Sequence, residues 1–387
     1  MAVTALVIGG GIGGLAAAAL MAQAGVSVTV LERAPDISEV GAGLQVSPNG
    51  LTVLRALGLE EQLVWSGAMR ARSVVLCDYK NTGDVARLDL NRLKKSRYYF
   101  VHRADLIDVL LRAARSAGVK IELNSPVLSV EPGVKPRLCL ETGALREANV
   151  IVCADGLHSV GRAALNGRKE PAFTGQVAWR AIVPVESFVP EARVTMAPGR
   201  HLVSYPIKDG AAMNLVAVQE RGTWAAEGWA HEDDPDNLRH AFADFTGMAK
   251  TLLDAVERVH LWGLFRHPVA ENWVGDNVAL LGDAAHPTLP FLAQGANLAL
   301  EDAFALSHTV ANGLPLPTYQ DLRQSRARKV IEAANGNAWK YHLPHGPVRY
   351  AAHTALKLGS TLTPGLMMRQ FDWLYGYDVR QACGAIS

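Results

Sequence analysis

Hydrophobic residues near the start of the chain fall in two short uninterrupted runs, separated by a cluster of glycines. Residues 4–8 (TALVI) predict a strand, residues 9–14 (GGGIGG) a tight turn, and residues 15–24 (LAAAALMAQA) a helix. Residues 26–31 (VSVTVL) predict a second strand, which ends at Glu32. Strands that are apolar without alternation are typical of a parallel sheet covered on both faces. The segment therefore predicts a βαβ unit.

Helices and apolar strands continue along the chain, are interrupted by a stretch of alternating strands, and then return. Further helices are predicted at 49–57, 105–117 and 297–309, further strands at 119–123, 127–130, 138–141 and 150–153, and a buried strand at 277–281. Alternating positions predict antiparallel strands at 177–183, 194–196, 201–206 and 214–219. From residue 320 the pattern is mostly helical, with a basic run at 323–329 that we expect to form a helix face. We therefore expect an α/β fold in which residues 1–170 and 267–335 form one domain, 171–266 an inserted, mainly antiparallel β-sheet domain, and 336–387 a helical C-terminal segment.

Composition narrows the range of functions. The chain has 387 residues, of which 49% are hydrophobic and 19% charged, as is typical of a globular protein. Its 38 Lys and Arg residues balance 37 Asp and Glu, so the net charge of +1 argues against a bulk polyanion binder, and we expect no nucleic-acid partner. The four cysteines match no metal or redox spacing, so we expect no metal site and a reducing, cytoplasmic environment. Because glycines interrupt the apolar N-terminus, we expect no membrane anchor.

The glycine turn has the spacing of a dinucleotide-binding fingerprint. Gly9 permits the tight turn, Gly11 lets a pyrophosphate approach the backbone, and Gly14 lets the helix pack closely on the strand. The N–H groups at the start of the helix attract phosphates. Glu32 ends the second strand, where a carboxylate can bind ribose hydroxyls. The fingerprint predicts a bound dinucleotide but does not separate FAD from NAD.

The predicted strands before Asp155 and Asp283 both end in polar residues. Asp155 and the glycine after it fit either a polar ligand or a turn that caps the next helix. Beyond Asp283, the loop at 294–297 opens a helix whose N-terminus can stabilise negative charge. His286 fits a functional role and a polar loop position about equally well.

Three ordered motifs resemble the signatures of one enzyme family. GGGIGG with Glu32-Arg33, then ADGLHSVGR, then LLGDAAHP with QGANLALEDA are similar to those of FAD-dependent aromatic hydroxylases, the single-component flavoprotein monooxygenases that resemble para-hydroxybenzoate hydroxylase. The segment from Gly41 to Asn49 is also similar. Within the family the chain looks most like salicylate hydroxylase, 3-hydroxybenzoate 6-hydroxylase and 6-hydroxynicotinate 3-monooxygenase. In one departure, Ala293 stands where many members have the first glycine of Gly-x-Gly.

The resemblance implies a Rossmann-like FAD-binding domain with the inserted sheet as its substrate domain. It implies FAD as the cofactor, NADH or NADPH as a transient co-substrate, and O2 and a small aromatic compound as the remaining partners. The residues it implies for cofactor binding are Gly9, Gly11, Gly14, Glu32, Arg33, Gln45, Arg103, Asp155, Asp283, Gly295, Ala296 and Asn297. We expect a monomer or a homodimer.

His201 and Tyr205 are the candidate catalytic pair. They are four residues apart on a predicted strand, so their side chains point to the same face. A neutral imidazole can accept a phenol proton near neutral pH, which makes the ring a better nucleophile toward oxygen. The resemblance implies such a use of His and Tyr, and we expect both to contact substrate together with Gln294. The alternative is that the pair packs only for the fold.

The expected reaction is the NAD(P)H-driven hydroxylation of a small phenolic or N-heteroaromatic acid of the hydroxybenzoate or hydroxynicotinate type. The resemblance implies that it proceeds through a flavin C4a-hydroperoxide. One alternative is a relative that hydroxylates or epoxidises a larger natural product or antibiotic. Another is a catalytically silent flavin-binding redox sensor, in which no substrate would stimulate oxidation of NAD(P)H.

Overall fold

The computed structural model describes residues 3–37, 42–81, 83–93, 96–222 and 231–385; Gly41 lies outside these ranges. The strands are β1 Thr4–Ile8, β2 Ser27–Leu31, β3 Gly43–Val46, β4 Met69–Arg70, β5 Ser73–Asp78, β6 Asp84–Asp89, β7 Tyr99–His102, β8 Lys120–Glu122, β9 Val127–Glu131, β10 Arg137–Leu140, β11 Leu145–Glu147, β12 Val150–Cys153, β13 Ala172–Pro184, β14 Glu191–Ala197, β15 Arg200–Ile207, β16 Ala212–Glu220, β17 Glu232–Asp233, β18 Val259–Arg266, β19 Val274–Gly275 and β20 Val278–Leu280. The helices are α1 Ile12–Gln23, α2 Pro48–Ala56, α3 Glu60–Trp65, α4 Arg103–Ser116, α5 Val160–Asn166, α6 Pro235–Ala241, α7 Gly247–Asp254, α8 Gly295–Ala311, α9 Pro317–Tyr341, α10 Pro347–Leu362, α11 Pro364–Arg369, α12 Asp372–Tyr375 and α13 Val379–Gly384. Within these ranges, no helix combines the length and apolar character needed to cross a bilayer.

The first sheet is the parallel one that the N-terminal pattern predicts. Its strand order is β19-β20-β12-β1-β2-β8, and every pair except β19 with β20 is parallel. Helix α1 connects β1 to β2 and is almost wholly buried, packed against α8 and α4. This confirms the βαβ unit and places the ends of β1, β12 and β20 at one edge of the sheet, where ligands bind in such folds.

The second sheet has eight strands in the order β17-β18-β13-β16-β15-β14-β5-β6. It is antiparallel except between β14 and β5. Strands β5 and β6 come from residues 73–89, well before the predicted insert at 171–266. That prediction left out these two strands because their partner, β14, lies more than a hundred residues further along the chain, beyond the reach of any local pattern.

The two faces of the second sheet are buried against different partners. On one face, Trp179 and Leu202 pack on helices α6 and α7. His201 and Tyr205 share the other face, as their four-residue spacing predicts, and His201 there meets Phe291 of the first domain. The predicted catalytic pair therefore lies between the two sheets.

A buried ionic cluster attaches the C-terminal helices to the first domain. Arg323 of α9 contacts Glu301 at 2.6 Å and Asp302 at 2.8 Å, both on α8, and all three side chains are fully buried. Arg326 also binds Glu301, at 3.1 Å, and donates to the carbonyl oxygen of Trp373 at 2.9 Å. The basic run at 323–329 lies on a helix, as expected, and these two arginines are buried because two carboxylates on the facing helix compensate their charge.

Candidate active site

The glycine turn after β1 shows why each of its three fingerprint glycines is required. A Cβ on Gly9, whose φ is +103°, would lie 2.5 Å from the carbonyl oxygen of Ala154. A Cβ on Gly14 would lie 2.1 Å from the carbonyl oxygen of Gly9, so these two positions serve close packing of strand and helix. A Cβ on Gly11 would meet nothing within 4 Å. The space beside Gly11, at the start of α1, is therefore open to a ligand.

Glu32 is fixed beside this turn. One carboxylate oxygen accepts the Gly10 N–H at 2.6 Å, and the other accepts the Ala34 N–H at 2.9 Å. Arg33, the next residue, is exposed. The two backbone donors hold the Glu32 carboxylate at the end of β2, and each oxygen keeps acceptor capacity for a ribose hydroxyl.

Asp155 has the helix-supporting role, one of the two roles that its motif left open. Its Oδ2 accepts the Val160 N–H at 2.8 Å and so supports the start of α5, where Ser159 accepts the Arg162 N–H at 3.0 Å. Its Oδ1 is buried and has no hydrogen-bond partner among the described residues. Burial raises the pKa of this carboxyl. A buried acceptor without a partner indicates a position that a bound group would satisfy.

Asp283 and Arg103 meet in the cleft between the sheets. The side chain of Asp283 is exposed, and yet protein surrounds it closely enough that burial raises the pKa of its carboxyl. It therefore lies on the floor of a cleft. Arg103, at the start of α4, attracts this carboxylate, while burial lowers the pKa of its own guanidinium. The pair brings a negative and a positive group to the same cleft.

The loop before α8 is held by a buried amide network. Asn297 donates to the carbonyl oxygens of Gln45 and Ala293, both at 2.9 Å, and accepts the Ser47 N–H at 3.0 Å. Gln294 donates to the Ser47 hydroxyl at 3.1 Å and accepts from Asn49 at 3.0 Å. Gln294 is fully buried. Both ends of its amide are engaged within the protein, so its side chain fixes the loop rather than facing the cleft as expected for a substrate contact.

The same network reaches Gln45 and opens the start of α8. The Gln45 side chain accepts the Tyr98 hydroxyl at 2.6 Å, so it too is held within the protein. Gly295 and Ala296 form the first turn of α8 and are only partly buried, and a Cβ on Gly295 would meet nothing within 4 Å. The positive end of a 17-residue helix thus borders an open space, which suits an anionic ring edge.

His286 joins the buried ionic cluster through Asp302 and also lies close enough to Asp283 to lower the pKa of that carboxyl. Its Nε2 contacts Asp302 Oδ2, and its ring lies 4.8 Å from the ring of Trp273. It is 1% exposed. It is therefore a buried partner of a carboxylate and not the polar loop residue that was one of its two expected roles, while its Nδ1 has no hydrogen-bond partner among the described residues.

His201 lies on β15 at the centre of the face between the sheets. Its Nδ1 is 2.7 Å from Nε2 of His342, and its ring lies 5.9 Å from that of Phe291 and 5.3 Å from that of Tyr341. Burial holds the pKa of His201 well below its ordinary value, and His342 lowers it further. The imidazole is therefore neutral at pH 7 and available as a base.

Tyr205 and Arg180 share the face with His201. Tyr205 stacks on Phe100 at 5.2 Å, and a Cβ on Gly43 would approach its ring to 2.7 Å. Burial raises the pKa of the Tyr205 phenol well above its ordinary range, so it remains a neutral hydrogen-bond donor. Arg180 lies 4.6 Å from the ring of Trp262, and burial lowers the pKa of Arg180 without neutralising it at pH 7.

FAD fits this cleft on three observations. The space beside Gly11 is open, Asp155 presents an unsatisfied buried oxygen, and Asp283 is exposed deep in the cleft. These positions follow β1, β12 and β20, so one extended dinucleotide can run along the edge of the first sheet toward the start of α8. Among the described residues, no cluster of His, Cys, Asp or Glu could hold a metal ion.

Comparison with known proteins identifies the family. The model of the FAD binding domain family matches residues 2–334. This chain belongs to that family. A 3-amino-4-hydroxybenzoate 2-monooxygenase of Streptomyces cremeus is 34% identical over 384 residues, covering 96% of this chain and 94% of the relative. A 3-hydroxybenzoate 6-hydroxylase of Aquipseudomonas alcaligenes is 31% identical, with 96% and 97% covered.

Solved structures share the fold of this FAD-dependent aromatic monooxygenase. A salicylate hydroxylase substrate complex superimposes with a TM-score of 0.83 at 24% identity, covering 99% of this chain and 97% of the other. The family match and the relatives confirm FAD as the expected cofactor and the aromatic hydroxylase family, and the superposition confirms the mixed α/β fold with a helical C-terminus. An aromatic substrate, O2 and a reduced nicotinamide follow from the same relatives.

The sequence did not predict two residues that lie near His201 and Tyr205. His342 has no motif around it and lies just after α9, 141 positions from His201. Arg180 had no predicted role. For His342 no sequence signal existed, because its position depends on how the C-terminal segment folds back on the second sheet.

Proposed function

We propose that this monooxygenase hydroxylates a small phenolic or N-heteroaromatic acid, of the hydroxybenzoate or hydroxynicotinate type, at the expense of NAD(P)H. The observation that carries the proposal is a neutral, buried histidine, His201, on the same sheet face as the buried cation Arg180. The histidine can remove the proton of a phenol, and the arginine can bind a carboxylate.

FAD, when bound and reduced, supplies the activated oxygen that the ring takes up. The chain would hold it through the N–H groups beside Gly11, through Glu32 at the ribose, through Arg103 and Asp283 in the cleft, and through the start of α8. What remains for the other residues is to bind the ring, orient it and remove its phenolic proton.

His201 would accept that proton. Because its pKa is lowered, the imidazole is not already protonated at pH 7, and the proton it takes is bound weakly enough to be released again. Removing the proton places negative charge on the ring and raises its reactivity toward an electrophilic oxygen. Tyr205, whose phenol stays protonated, would donate a hydrogen bond to the same oxygen or to the neighbouring one.

Arg180 would bind the carboxylate end. Arg103 lies close enough to lower the pKa of Arg180, and an anion beside Arg180 offsets this repulsion. A carboxylate also matches a guanidinium in shape. A neutral phenol without an acid group lacks this attraction and should bind more weakly.

Apolar side chains would keep water from the reacting atoms. Phe291 and Leu289 pack on the sheet face beside Val218, and Phe100 covers Tyr205. Excluding water strengthens the charge interactions around the substrate and protects the activated oxygen from unproductive loss.

A substrate panel tests the proposal. Purified holoenzyme is offered hydroxybenzoates, aminohydroxybenzoates and hydroxynicotinates, together with the matching phenols and hydroxypyridines that lack the carboxyl group, and both NAD(P)H oxidation and product are measured. We expect at least one acid to give product in proportion to NAD(P)H consumed, and its decarboxylated counterpart to bind at least about tenfold more weakly. Coupled turnover with large polycyclic substrates alone, or no stimulation by any acid, would contradict the proposal.

A further inference from the structure

Three side chains form a continuous hydrogen-bonded line from the active site to the surface. Nδ1 of His201 lies 2.7 Å from Nε2 of His342, and Nδ1 of His342 lies 2.8 Å from Oε1 of Glu220. His201 is 2% exposed and His342 is 6% exposed, whereas the side chain of Glu220 is 54% exposed. The line therefore connects a buried base with solvent in two steps.

The backbone holds these side chains in place. The Gly199 N–H, in the turn between β14 and β15, donates to the carbonyl oxygen of His342 at 3.2 Å. The Glu220 N–H donates to the carbonyl oxygen of Gly199 at 2.8 Å. Gly199 thus holds His342, just after α9, and Glu220, at the end of β16, on either side of β15, the strand that carries His201.

The carboxylate at the outer end determines where the protons sit. An ionised carboxylate only accepts hydrogen bonds, so His342 must carry its proton on Nδ1. Its Nε2 is then an acceptor, and His201 must carry its own proton on Nδ1. Nε2 of His201 is left with a free electron pair. Glu220 therefore sets, through His342, the tautomer in which His201 can act as a base.

We propose that His342 and Glu220 are positioning residues that fix the tautomer of His201 and carry the substrate's phenolic proton from it to solvent. This proposal rests on the proposed function of His201 as the base.

Each transfer exchanges one N–H or O–H bond for another, and no electrons are gained or lost. The phenolic proton binds to Nε2 of His201. The Nδ1 proton of His201 passes to Nε2 of His342, and the Nδ1 proton of His342 passes to Glu220 or to the water that surrounds it. These transfers move one proton from the buried ring to the surface and leave both imidazoles protonated at Nε2. A proton that passes inward along the same line, to the phenolate oxygen of the product, restores the starting tautomers.

The charged and titratable groups around the line favour transfer over storage of the proton. Burial lowers the pKa of both histidines, while Glu220 partly offsets this at His342. Tyr341, at the end of α9, is neutral because burial raises its pKa to about 12. Arg200, beside His201 on β15, is paired with Asp244 at 2.9 Å. Burial thus disfavours the charged form of both imidazoles, which favours passing an added proton on over holding it.

The first test measures the tautomers directly and needs no substrate. Protein labelled with ¹⁵N at histidine gives distinct nitrogen shifts for protonated and bare ring nitrogens, and His201→Asn and His342→Gln spectra assign the two rings. We expect both rings to be protonated at Nδ1 in the native enzyme. In His342→Gln the amide no longer imposes this arrangement, and a population of His201 protonated at Nε2 should appear. A native His201 protonated at Nε2 would overturn the proposal.

The second test measures the movement of the proton. The phenol and phenolate of a bound hydroxybenzoate differ in ultraviolet absorbance, so a pH jump on the oxidised holoenzyme reports the rate of deprotonation without turnover. We expect His342→Gln to slow this relaxation about tenfold or more and to alter its solvent isotope effect, and Glu220→Gln to slow it less, because water can replace an exposed acceptor. FAD binding should be unchanged in both.

Glu257→Gln is the matched control, since Glu257 is an exposed glutamate before β18 with no described contact to His342. Its relaxation rate should equal that of the native enzyme. If His342→Gln relaxed at the native rate with the native isotope effect, the relay would be wrong even though His201 remained the base. If no phenolic acid were bound or hydroxylated, the proposed function would fail, whereas the tautomers would still test the arrangement of the three side chains.

Discussion

At the scale of single residues, the surroundings of His201 separate catalysis from cofactor binding. Its ring contacts are Phe291, Tyr341 and His342, and none of them lies at the glycine turn that receives the dinucleotide. His201→Asn should therefore lower the rate of ring hydroxylation by about a hundredfold or more while FAD remains bound. Stopped-flow kinetics and the flavin content of the purified variant measure the two effects.

Gly11→Val is the converse variant, because its side chain would enter the open space beside the start of α1. It should release FAD while leaving the second sheet intact. Equal loss of flavin in His201→Asn and Gly11→Val would contradict the assignment of His201 as a base.

Ala293 bears a local strain. It has φ +51°, a left-handed conformation that costs a residue with a Cβ roughly 1 kcal/mol or more relative to glycine. Ala293→Gly should therefore raise the free energy of unfolding of the apoprotein by about 1 kcal/mol. The same substitution at Ala113, inside α4, should lower it by about 1 kcal/mol. Urea denaturation measures the change in the free energy of unfolding of each variant, and a loss of stability in both would show that the strain at Ala293 is compensated.

At the scale of elements, the sequence predicts those whose partners are close along the chain. The βαβ unit of β1, α1 and β2 needs only local contacts, and its glycines predict both the turn and its ligand. Strand β14, by contrast, pairs with β5 from residues 73–78, and no local pattern predicts a partner at that distance along the chain. The side chain of Gln294 was misjudged for a related reason, since the groups that bind it, Ser47 and Asn49, belong to another loop.

The contact between α8 and α9 depends on buried charge. Arg323→Met removes the shared partner of Glu301 and Asp302 inside the protein, and should lower the free energy of unfolding by about 3–5 kcal/mol. Arg146→Met breaks an exposed ion pair with Glu122 and should cost less than about 1 kcal/mol. Urea titrations of both variants test the difference, and similar costs would mean that the buried cluster is not a net determinant of stability.

At the scale of the whole molecule, the active site exists because three parts of the chain meet. The first sheet contributes the dinucleotide edge, the second sheet the face with His201, and the segment after α9 the histidine that orients it. Two of these parts follow from sequence patterns. The third follows only from the folded chain, since His342 reaches the site through its contacts with Gly199 and Glu220.

Bringing two neutral histidines into the interior also gives the molecule a pH-dependent stability. The pKa values of His201 and His342 are lowered by folding, so below the unfolded value of about 6.5 the unfolded chain binds more protons than the native one. Stability is therefore fully present above that pH and falls as the pH decreases, by up to about 1.4 kcal/mol per pH unit for each group. His201→Asn removes one of these groups, so native enzyme should lose stability faster than the variant between pH 7.5 and 5.5, a range spanning the unfolded value of about 6.5. Urea unfolding at several pH values measures both slopes, and parallel slopes would show that His201 is protonated as readily in the folded protein as in the unfolded chain.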